Sequence, residues 1–271
     1  LRGQQGQMRT AQNLLRLLDG SRLAFAHNPD KVQDAYSIRC VPQIHGASRD
    51  AIRYVWDIVS REINAVTDNP LIFPEEDKVI SGGNFHGEPM ALAFDFMGIA
   101  CSEIADISER RTERMVNAAL SNGLTPFLTT EGGVNSGYMI VQYSAASMVS
   151  ENKVLAHPAS VDSIPSSANQ EDMVSMGTTA ARKSGWIVQN TLSVLADELL
   201  TACQAIDIRR RLNTHGQGIS PVHQKVFDRV RKDIAFYETD RELWQDIQAA
   251  EKLVRSGELL EIVHETVADF E

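Results

Sequence analysis

The chain has 271 residues, 43% of them hydrophobic, which is enough to bury a substantial core as one large domain or two small ones and argues against disorder. Its 36 acidic residues outweigh 26 basic ones, and the net charge of −10 favours solubility and disfavours phosphate backbones, so nucleic acid is not an expected partner. The longest strongly apolar stretch, residues 90–101, is interrupted by Asp95 and falls well short of the roughly 20 residues that a membrane span needs.

The chain opens Leu1-Arg2-Gly3-Gln4-Gln5-Gly6, with neither an initiator Met nor a signal peptide, and reads as cut from something longer. Apolar residues at Met8, Ala11, Leu14, Leu15 and Leu18 keep the rhythm of an amphipathic helix, which Gly20 and Ser21 end. A polar turn is expected at His27-Asn28-Pro29-Asp30. Within residues 33–46, Gln33, Tyr36 and Arg39 recur every third residue, so on a helix they fall within an arc of about 120°. Pro42 is expected to stop that helix. Residues 46–67 repeat at helical period through Ile52, Val55, Trp56, Val59, Ile63 and Val66, then stop at Asp68-Asn69-Pro70. Residues 71–89, rich in Gly, Pro and Asn, read as an irregular loop or short hairpin.

A long helix should start at Glu88-Pro89 and run to about Asn117, with Pro tolerated in its first turn. Its first half is apolar nearly all round, and the stripe of Met90, Leu92, Phe94, Phe96, Met97, Ile99 and Ile104 is assigned to core. After a connection at 121–136, a helix is expected over about 138–156, ended by Pro158. A polar loop then leads into Gln170-Glu171-Asp172, just ahead of a very long helix over about 173–211 whose start Asp172 is suited to cap. Two more helices, about 221–236 and 240–269 with a break at Gly257, read as a solvated outer layer. The pattern predicts an all-α fold of long helices. Residues 1–217 form a central helical bundle with the active-site segments, and 218–271 form C-terminal outer helices.

Cys40, Cys101 and Cys203 are odd in number and far apart, which suits a reducing cytoplasm, and the seven histidines lack metal-ligand spacing, so no metal is expected. Read by spacing alone, Gln33, Tyr36 and Arg39 serve equally as a polar helix face, and Gly82-Gly83-Asn84-Phe85-His86-Gly87 as a tight turn whose aromatic plugs the core. As a site, Arg39 offers paired donors that fit a carboxylate bidentately. A guanidinium one turn away would favour the phenolate of Tyr36, whose ordinary pKa is about 10, and so make it a general base. Glu171 either takes a proton or binds a cationic or imidazole group. Gln33 and Gln170 are hydrogen-bonding positioners, and His86 is left as a satisfied polar residue.

Residues 33–46, Gly82-Gly83-Asn84-Phe85-His86-Gly87-Glu88-Pro89 and Ser166-Ser167-Ala168-Asn169-Gln170-Glu171-Asp172 together resemble, in order and spacing, segments of the histidine ammonia-lyases, a branch of the aromatic amino acid lyase family. The likeness runs from the first residues to about Arg211. It implies the long-helix bundle of the aromatic amino acid lyase and fumarase-like type, a homotetramer with sites where subunits meet, and elimination of ammonia from L-histidine to give urocanate. It also implies Tyr36 and Glu171 as catalytic residues, and Gln33, Arg39, Phe85 and Gln170 as substrate-binding ones, with Phe85 against the family's electrophile. That electrophile, 4-methylidene-imidazol-5-one, is cyclised from an Ala-Ser-Gly tripeptide. Here the Ala-Ser pairs at 47, 146 and 159 are followed by Arg49, Met148 and Val161, so this chain is expected to be a C-terminal part that is inactive without the N-terminal half. Gln-Glu-Asp at 170–172 looks like the histidine branch, since a carboxylate pairs with imidazole and phenylalanine would leave it without a partner. Met173 departs from the His that many members carry. A phenylalanine or tyrosine lyase, an aminomutase, or a non-catalytic helical assembly module remain alternatives.

Overall fold

The computed structural model describes residues 2–24, 32–212 and 218–270, and the turn expected at residues 27–30 lies outside them. Among the described residues the chain forms nine α-helices and one two-stranded hairpin. Three helices make the frame: α4 (Glu88–Val116), α5 (Met139–Leu155) and α6 (Gly177–Arg211). α4 and α6 run parallel, because Thr191 donates to the Cys101 carbonyl at 3.1 Å and, further along both, Ser108 donates to Glu198 at 2.6 Å. α5 runs against them, with Gln142 donating to Glu109 near one end of α4 and Asp95 accepting from the Ser160 amide near the other.

Close packing in this frame depends on small residues. Ala91, Ala93, Gly98, Ala100 and Cys101 are the buried face of α4, whereas Leu92, Phe96 and Ile99 remain exposed within the chain. The stripe assigned to core is therefore divided: small side chains let α5 and α6 approach, and several large ones point away from both. A Cβ on Gly98 would lie 3.1 Å from Ile187.

α3 (Val41–Glu62) lies antiparallel on α4, fixed at one place by an edge-to-face pair of Tyr54 and Phe96 and at another by His45 beside Arg111 at 3.3 Å. Pro42 opens this helix instead of preventing one, since the N–H that proline lacks has no partner in a first turn anyway. α1 (Gln5–Leu18) crosses α3 where Gly6 meets Gly46, and the Gly6 amide donates to both Asp50 carboxylate oxygens at 2.9 and 3.1 Å. The 71–89 segment holds an antiparallel hairpin, β1 (Leu71–Phe73) with β2 (Lys78–Ile80), paired Leu71 to Ile80.

α7 (Pro221–Asp233), α8 (Trp244–Ser256) and α9 (Glu258–Thr266) follow, with Gly257 at φ 80° between the last two. They are not merely an outer layer. Phe227 and Val230 of α7 and Ala250 and Leu253 of α8 enter the main core cluster with Leu200, Ile208, Tyr138 and Val141, whereas Trp244 and Leu260 stay exposed. The expected boundary at 217 falls beside residues 213–217, which lie outside the described ones.

Candidate active site

The first site segment folds as a single turn, α2 (Tyr36–Arg39), after which Cys40 leaves helical geometry at ψ 11°. Gln33 precedes that turn in non-helical chain and is exposed, so it does not share a helical face with Tyr36 and Arg39. The pair itself is real: the Arg39 guanidinium lies over the Tyr36 ring, 4.7 Å from its centroid, a cation–π contact. Arg39 Nε also donates to the Asp34 carbonyl at 3.2 Å. Tyr36 is 69% exposed, and among the described residues its hydroxyl has no hydrogen bond.

The second segment is a loop tied at both ends. Asn69 Oδ1 accepts from the Gly82 amide at 2.9 Å and from Ser81 Oγ at 3.2 Å, and the Asn84 side chain donates to the Val66 carbonyl. Between these ties and α4, Phe85 presents a ring that is 55% exposed. It does not plug the core.

The third segment turns tightly through Ser167, Ala168 and Asn169, all at positive φ (49°, 56° and 66°), a costly run for residues with side chains. The turn lets Ser166 and Glu171 face one another. The Ser166 amide donates to the Glu171 carbonyl at 2.9 Å, and Ser166 Oγ donates to Glu171 Oε2 at 2.6 Å. Gln170 and Asp172 are exposed on the same turn. Asp172 does not cap α6, which begins at Gly177 with no acidic residue in its first turn. Residues 173–176 are held otherwise: Val174 N donates to Ser163 Oγ at 3.0 Å, and Met176 sits at φ 56°.

The second and third segments meet, since His86 Nε2 lies 3.0 Å from the Met173 carbonyl. The first segment is elsewhere. Ile38 lines a cleft of about 940 Å³ together with His45 and Arg111, whereas Phe85 just precedes Glu88, the first residue of α4. From residue 88 to residue 111 a helix advances about 35 Å at 1.5 Å per residue. One chain therefore carries its two groups of candidate site residues at opposite ends of α4.

A family model described as aromatic amino acid lyase matches residues 1–232. The chain belongs to that family. It is 55% identical over 271 residues to histidine ammonia-lyase 1 of Fusobacterium nucleatum, covering 100% of this chain and 52% of that protein. Against histidine ammonia-lyase of Alkaliphilus oremlandii it is 58% identical over 262 residues, covering 97% of this chain and 50% of the relative. Among solved structures, histidine ammonia-lyase from Trypanosoma cruzi superposes with a TM-score of 0.89 at 45% identity, over 99% of this chain and 49% of that one. The chain thus spans about half the length of the relatives it matches.

Near the Tyr36 end, Arg111 pairs with Glu198 through two hydrogen bonds, one of 2.7 Å, and its other nitrogen faces His45. Burial and the Arg111 charge hold the His45 imidazole below its ordinary value of 6.5. Cys101 and Cys203 are buried thiols pushed up to about 11, which leaves them unreactive. Among the described residues no group of three or more His, Cys, Asp or Glu side chains is arranged to hold a metal, and no helix is long and apolar enough to cross a membrane.

Beyond the predicted residues, Ser166, Asn69, Asn84 and His86 hold the candidate loops in place. Their signal in the sequence is weak, because polar residues flanking glycines and turns are common for local reasons alone.

Proposed function

We propose that the chain is the C-terminal part of a histidine ammonia-lyase that eliminates ammonia from L-histidine to give urocanate, and that it turns over only with the N-terminal half. What carries this reading is identity of 55–58% across nearly the whole chain to proteins of that name. The two-ended placement of the site residues supports a homotetramer, in which Tyr36 and Arg39 of one subunit meet the Phe85 and Glu171 loops of another.

In such a site Arg39 binds the substrate carboxylate through its paired donors, with Gln33 and Gln170 as hydrogen-bonding positioners. Tyr36, whose hydroxyl is uncommitted among the described residues, takes the β-hydrogen. Glu171, oriented by Ser166, pairs with the imidazole, a partner that phenylalanine lacks. The chain cannot make the electrophile, having no Ala-Ser-Gly, but the exposed ring of Phe85 on a tethered loop fits a planar group laid against it. When bound, 4-methylidene-imidazol-5-one supplies the electrophile that turns the amine into a leaving group. Three free cysteines, two of them buried, suit a cytoplasmic setting.

The test uses the full-length enzyme that contains this chain. A denaturing mass spectrum should show a polypeptide lighter than its sequence by two waters, and L-histidine should yield urocanate. Arg39→Ala should raise KM sharply. Cinnamate or a β-amino acid as the main product from an amino acid panel would replace this reading with a sibling activity. An Arg39→Ala variant with unchanged kinetics would refute the site assignment.

A further inference from the structure

His86 stands between Phe85 and the first turn of α4, and both of its ring nitrogens are engaged. Nδ1 faces the Glu88 amide at 3.3 Å, and a backbone N–H can only donate. Nδ1 is therefore the acceptor, the proton of the neutral ring sits on Nε2, and Nε2 donates to the Met173 carbonyl at 3.0 Å. The Glu88 amide is one of the donors that a helix start leaves without an internal partner, so the ring is anchored to the first turn of α4.

The other end of this bridge lies two residues beyond Glu171. The Glu171 turn is otherwise held to itself, through Ser166, and to its own flank, through Ser163 and Val174. Packing keeps the two loops close: a Cβ on Gly87 would lie 3.2 Å from Ser175 Oγ. Packing of this kind sets a distance, whereas the His86 hydrogen bond sets register between the loops.

We infer that His86 is a positioning residue that fixes the Phe85 loop against the Glu171 loop through the Met173 carbonyl, without itself touching substrate. This rests on reading those loops as parts of an ammonia-lyase site. Losing the ring's two anchors loosens the loop that carries Phe85, and releasing Met173 frees the chain that follows Glu171. A displacement of about 1 Å at a reacting group can cost about 100-fold in rate.

Two substitutions in the full-length enzyme separate the halves of the bridge. In His86→Gln the side-chain amide nitrogen takes the place of Nε2 and keeps the donor to Met173. In His86→Asn the amide oxygen takes the place of Nδ1 and keeps only the Glu88 contact. His86→Asn should lose roughly 10- to 100-fold in kcat/KM, with faster backbone hydrogen exchange across residues 163–176. His86→Gln should recover most of both effects. If the two variants behave alike in activity and exchange, or if exchange in 163–176 does not respond to His86→Asn, the inference is wrong. A wild-type enzyme that leaves histidine unchanged would overturn the ammonia-lyase reading, and the exchange comparison would still decide whether His86 joins the loops.

Discussion

Asp197 lies in α6 with 0% of its surface exposed, and among the described residues neither carboxylate oxygen has a hydrogen-bond partner. Burial first, and the charge of Glu251 second, push its pKa from 3.8 to about 8. The folded chain thus keeps a proton that the unfolded chain gives up above 3.8. The stabilisation is fully present below that value and is lost as pH rises through the folded pKa of about 8. At neutral pH the 3.2-unit gap above 3.8 corresponds to about 4 kcal/mol, at about 1.36 kcal/mol per unit. Asp197→Asn keeps the shape and removes this dependence, but leaves amide donors without partners at a cost of about 1–3 kcal/mol. The variant should therefore be more stable than wild type by about 1–3 kcal/mol near pH 7, and less stable near pH 4. Urea unfolding midpoints of both proteins across that range measure the difference. A gap that stays constant with pH, or an Asn variant that is weaker throughout, would refute the argument.

Gly46→Ala should separate α1 from α3, because the added Cβ would lie 2.4 Å from the Gln7 amide nitrogen, and backbone cannot yield as a side-chain tip does. Overpacking of this kind costs about 1–3 kcal/mol, read as a lower thermal midpoint and faster proteolysis within residues 5–18. His45, held neutral beside Arg111 with its pKa depressed, contributes stability that is present above the ordinary imidazole value and is lost as pH falls through the folded one. His45→Gln should accordingly flatten the acid limb of the stability profile below about pH 6.5, as measured by unfolding midpoints. Asn69→Ala should raise hydrogen exchange at Gly82 and lower activity without a comparable loss of stability, since Asn69 Oδ1 accepts that amide from an exposed position.

The long helices were legible because their apolar period persists over many residues, and α4 starts and stops close to where its Glu88-Pro89 opening and Asn117 suggest. Short-range geometry was less so. Three residues at helical spacing implied a face shared by Gln33, Tyr36 and Arg39, but α2 is a single turn that begins after Gln33. Pro42 and Asp172 illustrate an ambiguity of boundary signals. A proline both ends and begins helices, and an acidic residue before a helix caps it only if its own chain enters directly. Here residues 173–176 intervene, pinned by Ser163 and His86. Hydrophobicity all round α4 signalled a buried helix but could not say which neighbour covers which face. The small residues meet α5 and α6, whereas the larger ones point away from both, Phe96 against Tyr54 of α3.

Motif order carries even less information about which copy of the chain supplies each part of a site. With the ends of α4 near these two groups about 35 Å apart, the proposed site would take Tyr36 and Arg39 from one copy and the Phe85 and Glu171 loops from another, which counting can test. Mix chains carrying Arg39→Ala with chains carrying Glu171→Ala during assembly of the full-length enzyme. Each variant alone should be severely impaired at the substrate concentration that saturates wild type, because every site it forms lacks one group. In the mixture, a site is whole when its first group comes from the Glu171→Ala chain and its second from the Arg39→Ala chain. For equal amounts and random assembly, this happens in about one quarter of sites. Co-expressed variants should therefore recover about a quarter of wild-type kcat with an unchanged KM. If both groups came from one chain, no mixture could restore a site and activity would stay at the level of the separate variants.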